Sequence, residues 1–496
     1  MPRWESARQT AAASARRLAR RVPRPLRQKL QSALAKLRDR GVNPTVETWS
    51  TPLVGGVISN GATLIGGDAQ TEVVSAPLQE SDAASRAQSA DPATDVDGSS
   101  NPLRCLVVTS RLDVGGMDEV AAMLVRRLQS HSFHTAILHA EDEPLPGPGE
   151  GPVLGRLGRM LVQNGVEVHR ADERGGLSFM RQWKPDVISA HGAPPWVLDA
   201  ANQLGVPYVD TLHGMHMHFG ADWKLESERG SRMAAIVSVS ELVRRQYLAG
   251  NPDFPSERIV TIPNGVDDQR RANADRDGVR KRLGLTDEFV FVSLARQCLQ
   301  KNSFGLIAAF AEVADRRPEA HLVIAGRPDD QAYFRRVFNL RKGMSTAPQI
   351  HLRDHVSAPA ELLAAADGFV LDSFFEGWSL ASMEALFAGV PVVISDVGGA
   401  REQVADDSSR GFVVANPLGD PLNVSWETMG VARYRPQANR DAFVDAMLKL
   451  IDGRADYLAH RANLASESAR RFDADTCLAA HARLLRTVAG DTASRA

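Results

Sequence analysis

Twice along this chain, short apolar runs of strand length alternate with amphipathic helical stretches, and this alternation constrains the fold more than any other feature. The first series begins with LRCLVVTS at 103–110 and continues through HTAILHA, DVISAH, PYVDTLH and AAIVSVS. The second series is EFVFVSLA, HLVIAG, QIHL, GFVLDS, VPVVIS and GFVVA. Strands that alternate with helices in this order form parallel, doubly wound sheets. We therefore predict an α/β protein with two Rossmann-like doubly wound parallel-sheet domains that face a cleft.

A polar, glycine-containing stretch near 264–280 separates the two series and predicts a hinge. The boundaries that follow are an N-terminal Rossmann-like domain at 101–265 and a C-terminal Rossmann-like domain at 266–472. A last helix, at 473–496, is predicted to pack back toward the N-terminal domain.

The first hundred residues have a different composition. Residues 1–50 are rich in Arg and Lys, and Leu26, Leu30, Leu34 and Leu37 follow helical spacing. A basic amphipathic arm of this kind can make peripheral contact with an anionic membrane surface; a solvated arm and a transit peptide are the alternatives. Residues 51–100 are rich in Ser, Ala, Gly, Asp and Thr, which predicts a disordered linker.

Composition excludes several classes of protein. The net charge of the 496 residues is -2, so the chain as a whole lacks the basic footprint of a nucleic-acid-binding protein. Cys105, Cys298 and Cys477 are far apart, which argues against a disulfide framework or a zinc site and fits a reducing compartment. No apolar run reaches the length of about 18 residues that a membrane span needs, and no secretory h-region is present. These features predict a cytoplasmic protein.

Two cations follow the first strand of the second domain. Ligands of doubly wound sheets bind beyond the carboxyl ends of the strands, where RQCLQKN places Arg296 and Lys301 five residues apart. A guanidinium fork and an ammonium point charge suit a diphosphate. The alternative is a solvated basic loop.

The stretch SFFEGWSLASMEALFAG at 373–389 joins another strand to a helix and carries two carboxylates eight residues apart. Ser379 is a candidate N-cap, so the helix would point free N–H groups at an anion. Glu376 lies in the loop, and Glu384 is predicted to be buried among small apolar residues. A carboxylate accepts two hydrogen bonds from a vicinal diol, so both suit sugar hydroxyls. The alternative is that Glu384 pairs with a lysine on the helix surface.

Residues 101–490 resemble the retaining family-4 glycosyltransferases, which have the GT-B fold. The most specific part is Glu-x7-Glu followed by ALFAGVPVVISDVGGAREQV; supporting parts are IPNGVD at 262–267, SVSE at 238–241, and the Arg-x4-Lys pair. One departure is Asp372, where the family usually has Pro before Ser373. That substitution leaves the local backbone in question.

The resemblance implies roles for residues of the second domain. Arg296 and Lys301 would hold the donor diphosphate, and Glu384 would hold the ribose diol. Glu376 would contact hydroxyls of the transferred sugar, and Val356 would lie near the nucleobase. Backbone amides of the turn after Glu376 would assist it, those of Gly377, Trp378, Ser379 and Leu380.

In the first domain, the resemblance implies that Gly115 and Gly116 form a turn facing the donor phosphates. His213 would lie beside the reacting sugar, which completes a catalytic set with Arg296, Lys301 and Glu376. His191 and His216 are expected on the acceptor side. A structural role is the alternative for His191 and His213, and a metal cluster of His213, His216 and His218 is a further alternative.

The expected activity is that of a hexosyltransferase. It would use a nucleotide-diphosphate sugar as substrate, no cofactor and no metal, and a carbohydrate or lipid-linked acceptor in cell-envelope glycan, polysaccharide or glycolipid synthesis. The alternatives are a nucleotide-sugar 2-epimerase and a non-catalytic GT-B scaffold. An NAD enzyme is disfavoured because RLDVGGMDE, after the first strand, lacks the G-x-G-x-x-G fingerprint.

Overall fold

The computed structural model describes residues 46, 47, 49, 51–54, 102–113, 115–143, 154–265 and 274–493. The predicted basic arm, apart from residues 46, 47 and 49, lies outside the described residues. So does the predicted linker beyond residue 54.

The first sheet has seven parallel strands in the order β3-β2-β1-β4-β5-β6-β7. Short runs such as VISAH are buried along their whole length, as strands covered on both faces must be. The strands are β1 Leu103–Thr109, β2 Phe133–Ala140, β3 Glu167–Ala171, β4 Val187–His191, β5 Tyr208–Leu212, β6 Ala235–Ser238 and β7 Ile259–Thr261. The helices are α1 Gly116–Arg127, α2 Arg156–Gln163, α3 Glu173–Trp183, α4 Pro195–Leu204, α5 Trp223–Ser231 and α6 Glu241–Gly250.

The second sheet has six parallel strands in the order β10-β9-β8-β11-β12-β13. Its strands are β8 Phe289–Leu294, β9 Ala320–Ala325, β10 Ile350–Arg353, β11 Gly368–Leu371, β12 Val392–Ser395 and β13 Gly411–Val414. Its helices are α7 Arg276–Arg282, α8 Ser303–Arg316, α9 Gln331–Lys342, α10 Pro359–Ala365, α11 Leu380–Phe387, α12 Ala400–Val404, α13 Trp426–Ala432, α14 Arg440–Asp452 and α15 Arg454–Arg471. The two sheets confirm the predicted fold class.

The last helix, α16 Ala474–Ala493, completes the core of the first sheet rather than that of the second. Strand β1 directs Val107 to the face that this helix covers and Leu106 to the other face, because side chains alternate along a strand. Leu478 and Leu485 of α16 are buried in the same cluster as Val107. None of the helices in the described residues combines the length and the apolarity needed to cross a bilayer.

Residues 47, 49 and 51–54 lie against the outer edge of the second sheet, at β10. Glu47 forms a parallel β-bridge with Arg353, and the indole Nε1 of Trp49 donates to the carbonyl of Asp354 at 3.2 Å. Leu53 is buried, and its N–H donates to the carbonyl of Leu283 at 2.8 Å. The linker predicted from residue 51 is therefore wrong for residues 51–54. The overall polarity of this part of the sequence concealed two apolar residues, Trp49 and Leu53, that pack against the second domain.

Candidate active site

The predicted site residues follow the central strands of both sheets. Gly115 follows β1 and His191 ends β4, and these two strands are neighbours at the point where the strand order reverses. Lys301 follows β8, and Glu376 follows β11, which are neighbours in the second sheet. Such switch points open a crevice at the carboxyl ends of the strands, so the topology brings residues from distant parts of the chain together.

Lys301 and Glu376 form the polar centre of the second domain's crevice. The Lys301 Nζ lies 2.5 Å from the Glu376 Oε1, and both side chains are largely buried, with 16% and 8% of their surface exposed. Ser373 donates its hydroxyl to the same carboxylate oxygen at 2.7 Å. A buried carboxylate needs such partners. The pair therefore holds a cation and a hydrogen-bond acceptor side by side.

Arg296 lies at the rim of this crevice. Its side chain is half exposed and donates to Asp329 Oδ2 at 2.5 Å and to Gln300 Oε1 at 3.3 Å. Gln300 in turn donates to the carbonyl of Phe375 at 3.2 Å, which connects the arginine with the loop that carries Glu376. Arg296 and Lys301 thus share one loop and one crevice.

The loop that carries Glu376 is held from below by fully buried polar side chains. Ser395 at the end of β12 donates its hydroxyl to the carbonyl of Ser373 at 2.7 Å. Asn416 donates to the carbonyl of Phe374 at 2.9 Å. Because these bonds satisfy buried backbone carbonyls, they fix the loop without a regular element.

Helix α11 begins where the sequence predicts. Ser379 is its N-cap, and its hydroxyl accepts from the N–H of Ser382 at 3.2 Å. The Trp378 side chain is not directed at a ligand but is buried against Phe472, with ring centroids 5.9 Å apart. Only the backbone of Trp378 remains available for the predicted role.

Glu384 lies on the second turn of α11 and is half-buried. The predicted buried position is therefore reached only in part: Met383 and Ala385 point into the core, whereas Glu384 lies at the edge of that face. Val356, in the loop after β10, is 6% exposed and belongs to the same apolar cluster as Val292 of β8.

In the first domain, His191 and His213 form a hydrogen-bonded pair. The His191 Nδ1 lies 2.8 Å from the His213 Nε2, and the His191 Nε2 lies 3.2 Å from the Ser189 hydroxyl. His191 is completely buried and His213 half-buried. His213 contacts His191 through its Nε2. The Nδ1 of His213 therefore lies on the side of the ring that is turned away from His191.

Burial and mutual repulsion keep these histidines uncharged. Burial, followed by the repulsion that protonated His481 and His216 would exert, lowers the pKa of His213 to about 3. Burial and then the neighbouring His213 and His481 lower the pKa of His191 well below its ordinary range. His481, on α16, is buried, which lowers its pKa to about 4. No sequence pattern indicated that His481 lies near His191 and His213, because it is far along the chain from both.

The other two histidines of the HGMHMHFG segment separate. His216 is exposed and stacks on Phe375, beside Glu376, with ring centroids 5.8 Å apart. His218 instead stacks on Trp223 and lies 3.5 Å from Glu226, within the first domain. Among the described residues, no group of three or more His, Cys, Asp or Glu side chains converges as a metal site requires.

The two crevices face each other at short range. The carbonyl oxygen of His213 approaches Gly377 so closely that a Cβ on that glycine would overlap it. Gly116, at the start of α1, lies against Leu380 of α11, whose Cδ1 would be 3.5 Å from an added Cβ. Gly115 is the residue before α1. The turns that the sequence singled out in the two domains therefore meet.

Two further contacts join the domains around this junction. The N–H of Glu241, at the start of α6, donates to the Glu402 carboxylate of α12 at 2.7 Å. Phe219 meets Phe375 edge to face, with ring centroids 5.1 Å apart. Phe219 thus reaches the apolar cluster beneath the loop that carries Glu376.

Comparison with known families divides the chain at the predicted hinge. Residues 114–270 match the family described as Glycosyltransferase Family 4. Residues 275–423 match the family described as Glycosyl transferases group 1. The first match covers most of the first sheet and the second covers the crevice with Arg296, Lys301, Glu376 and Glu384.

Two curated relatives show the level of similarity. The glycogen synthase of Mycobacterium tuberculosis is 28% identical over 266 residues, which cover 50% of this chain and 59% of the relative. The D-inositol 3-phosphate glycosyltransferase of Segniliparus rotundus is 28% identical over 346 residues, 61% of this chain and 74% of the relative. The chain thus spans about three-fifths of the length of the first of these relatives.

Among solved structures, Anabaena HepE in complex with UDP and glucose superposes with a TM-score of 0.60. It is 17% identical in sequence, and the alignment covers 77% of this chain and 99% of HepE. At this identity the likeness concerns the fold: two facing Rossmann-like domains.

Proposed function

We propose that this chain, which belongs to the family-4 glycosyltransferases and has the GT-B fold, transfers a hexosyl group with retention from a nucleotide-diphosphate sugar to an acceptor hydroxyl. The observation that supports this most directly is the contact between Lys301 and Glu376 in a crevice that faces His213 and Gly377. A cation and a carboxylate side by side match a ligand that carries phosphates and hydroxyls next to each other.

Bond breaking leaves negative charge on the diphosphate, and the second domain has the groups to stabilise it. Lys301 keeps N–H donors beyond the one directed at Glu376, and Arg296 lies on the same loop. The N-terminus of α11 adds free backbone N–H groups capped by Ser379. Preorganised donors of this kind are worth roughly 2.7–4 kcal/mol each in the transition state.

The sugar is assigned to the carboxylates and to the first domain. Glu376 accepts from hydroxyls of the transferred sugar, and Glu384 accepts from the ribose diol. His213 is uncharged at neutral pH because burial lowers the pKa of its ring to about 3. A neutral ring can accept or donate a hydrogen bond without repelling the positive charge that develops on the sugar.

Retention is assigned to attack of the acceptor on the face from which the diphosphate leaves. The departing phosphate oxygen takes the proton of the acceptor hydroxyl, so the enzyme supplies no covalent nucleophile. Contact between His213 and Gly377 excludes water at this point, which protects the donor from hydrolysis.

We assign no metal to the reaction. Lys301, Arg296 and the α11 N-terminus carry the positive charge that a divalent cation supplies in other sugar transfers. The acceptor is a carbohydrate or a lipid-linked glycan of the cell envelope, and residues 1–50 are assigned to peripheral contact with the cytoplasmic membrane face. The basic composition of that arm supports the last assignment.

The test is a screen of UDP-, GDP- and ADP-linked hexoses with mono- and oligosaccharide acceptors and with lipid-linked glycans. We expect release of the nucleoside diphosphate that depends on an acceptor, a product with the anomeric configuration of the donor by NMR, and the same rate in EDTA. A free sugar released without acceptor would favour the epimerase. Loss of the rate in EDTA would remove the metal-free mechanism, and the opposite anomer would remove retention.

The membrane assignment has its own test. Flotation on liposomes that contain anionic lipid is compared for the full chain and for a chain that starts at residue 46. We expect the full chain to float and the shortened one to remain below. Equal behaviour of the two would remove the membrane contact.

A further inference from the structure

The loop that carries Lys301 and the loop that carries Glu376 are joined at their base by a buried acid, Asp372. This residue directly follows β11 and is 2% exposed. Its Oδ2 accepts from the Asn302 amide at 2.8 Å, and its Oδ1 accepts from the Asn439 amide at 2.7 Å. Asn302 is the residue after Lys301, and Asp372 is four residues before Glu376. The acid therefore connects the two functional loops directly.

Asn302 is itself fixed on every side. It is the N-cap of α8 and has a positive φ of 52°. Its side-chain amide donates to Gln437 Oε1 at 2.7 Å, and its side-chain oxygen accepts from Gln437 Nε2 at 2.8 Å. Gln437 approaches so closely that a Cβ on Gly305 would overlap its amide oxygen. These contacts hold the Asn302 side-chain amide in one position, in which it reaches Asp372.

Other bonds run parallel to the Asp372–Asn302 bond. The N–H of Phe374 donates to the carbonyl of Gln300 at 2.9 Å, and the Gln300 amide donates to the carbonyl of Phe375 at 3.2 Å. Together with the Lys301–Glu376 contact, they join residues 300–302 to residues 372–376 along their whole length. The hydrogen bond between Asp372 and Asn302 is the innermost of these contacts, and both side chains are buried.

The surroundings of Asp372 favour its uncharged form. Burial, with no ion pair to any described cation, raises its pKa to about 8, and the hydrogen bonds from the Asn439 and Asn302 amides oppose part of that rise. The titratable groups on the elements around it are Lys301 and Glu376 on the two loops, Tyr333 on α9 and Arg440 at the start of α14. Tyr333 accepts from the N–H of Phe304, and Arg440 donates to the carbonyl of Ala308. None of the four is paired with Asp372.

An uncharged carboxyl group has a proton to donate, and Asn439 offers an acceptor. Among the described residues, none supplies a hydrogen-bond partner for the buried Oδ1 of Asn439. Rotation of this amide by 180° exchanges its oxygen and nitrogen, which are nearly indistinguishable in shape. The oxygen then accepts the proton of Asp372 at the same short distance. The rotated amide would thus give the protonated carboxyl group of Asp372 an acceptor.

We propose that Asp372 is a positioning residue for the Lys301–Glu376 pair and that it acts as an uncharged carboxylic acid held between Asn302 and Asn439. The proposal rests on the proposed function, since it assigns Asp372 to the site that handles the donor. Asp372 stands where the family usually has a proline, and proline offers no side-chain hydrogen bond. In this chain the carboxyl group supplies the connection between the two loops.

The test uses Asp372→Asn, Asp372→Ala and, as a matched control, Asp445→Asn on the exposed surface of α14. Asparagine keeps the shape and the neutral charge, and Asn439 can turn its oxygen toward it. We expect kcat of Asp372→Asn within about threefold of the wild type. For Asp372→Ala we expect a loss of tenfold or more in kcat and weaker thermal protection by the nucleoside diphosphate, because Lys301 would no longer be held in place. Unchanged kcat in Asp372→Ala, or equal loss in both variants, would overturn the positioning role.

A stability measurement tests the uncharged state without any activity. In the unfolded chain the Asp372 carboxyl ionises near its ordinary pKa of about 4, whereas in the folded protein it ionises near 8. Raising the pH between these values therefore favours unfolding of the wild type, and above 8 the effect levels off. Relative to the wild type, the urea midpoint of Asp372→Asn should rise as the pH goes from 5 to 8, whereas that of Asp445→Asn should not.

A constant difference over that range would overturn the uncharged state. If the wild type transfers no sugar but the pH-dependent difference appears, the proposed function fails and the buried acid stands. If the wild type is active and Asp372→Ala is unimpaired, the positioning role fails and the proposed function stands.

Discussion

The carbonyl oxygen of His213 lies against the Cα of Gly377, with no room between the two domains for a β-carbon. The contact places His213 of one domain beside the loop of the other domain that carries Glu376.

Replacing Gly377 by alanine should prevent this contact. The added methyl group would push the two loops apart, so we expect kcat to fall by tenfold or more while each domain stays folded. The matched control is Gly430→Ala in α13, where an added Cβ meets no described atom within 4 Å. Because glycine inside a helix is unfavourable by roughly 0.5–1 kcal/mol, that control should keep full activity and gain a little stability. Full activity of Gly377→Ala would contradict a role for the contact.

Removing the Lys301 ammonium should abolish most of the stabilisation of the leaving diphosphate. We expect Lys301→Ala to lower kcat by two or more decades, the effect of losing one preorganised donor. Thermal protection by the nucleoside diphosphate should fall with it. Lys342→Ala, at the exposed end of α9, removes an equal charge away from the site and should change neither quantity. Normal turnover in Lys301→Ala would refute the phosphate role.

The buried histidines should make the protein sensitive to acid. His481 has a folded pKa of about 4, below the ordinary value of about 6.5, so the unfolded chain binds the proton first as the pH falls. Its contribution to stability is present above pH 6.5 and is lost on the way down to pH 4. At pH 5 the loss is on the order of 2 kcal/mol.

His481→Gln removes one titrating group, so its urea midpoint should depend less steeply on pH between 6.5 and 4 than that of the wild type. His460→Gln, on the exposed face of α15, is the control. The slope with pH is the decisive quantity, since any packing defect of the variant acts at all pH values. An unchanged slope in His481→Gln would mean that the pKa of this ring is the same in the folded protein and in the unfolded chain.

The segment 47–54 should stabilise the second domain. Trp49 is 6% exposed, and its ring lies 5.7 Å from the guanidinium carbon of Arg353. Truncating a buried Trp to alanine costs about 3–5 kcal/mol, so Trp49→Ala should lower the melting temperature of the second domain. A chain that starts at residue 46 should melt like the full chain, whereas one that starts at residue 55 should melt earlier. Equal melting of the two shortened chains would show that the anchors contribute nothing.

Much of the architecture could be predicted because burial on both faces leaves parallel strands as uninterrupted apolar runs, visible without context. The convergence of Lys301 and Glu376 follows from the same pattern, since parallel strands place their carboxyl ends at one edge. Which loops meet at the centre of a sheet can therefore be predicted without knowing how the side chains pack. The last helix, predicted at 473–496, is observed at Ala474–Ala493.

Other features depend on contacts that no local pattern encodes. The exposure of Glu384 depends on which face of α11 meets the core, and a run of small apolar residues on both sides suggested a buried position. His481 meets His213 only because α16 returns to the first sheet. Asp372 was visible as a departure from the family pattern, but its partners, Asn302 and Asn439, come from two distant loops. Trp49 was hidden in a polar region, although a tryptophan there is itself a signal.

The return of α16 to the first sheet has a consequence for biosynthesis. Leu478 and Leu485 leave the ribosome hundreds of residues after the apolar face of β1 that they cover. That face stays uncovered until α16 has been made. A premature stop after α15 would therefore leave the second sheet complete and leave an apolar face of the first sheet uncovered.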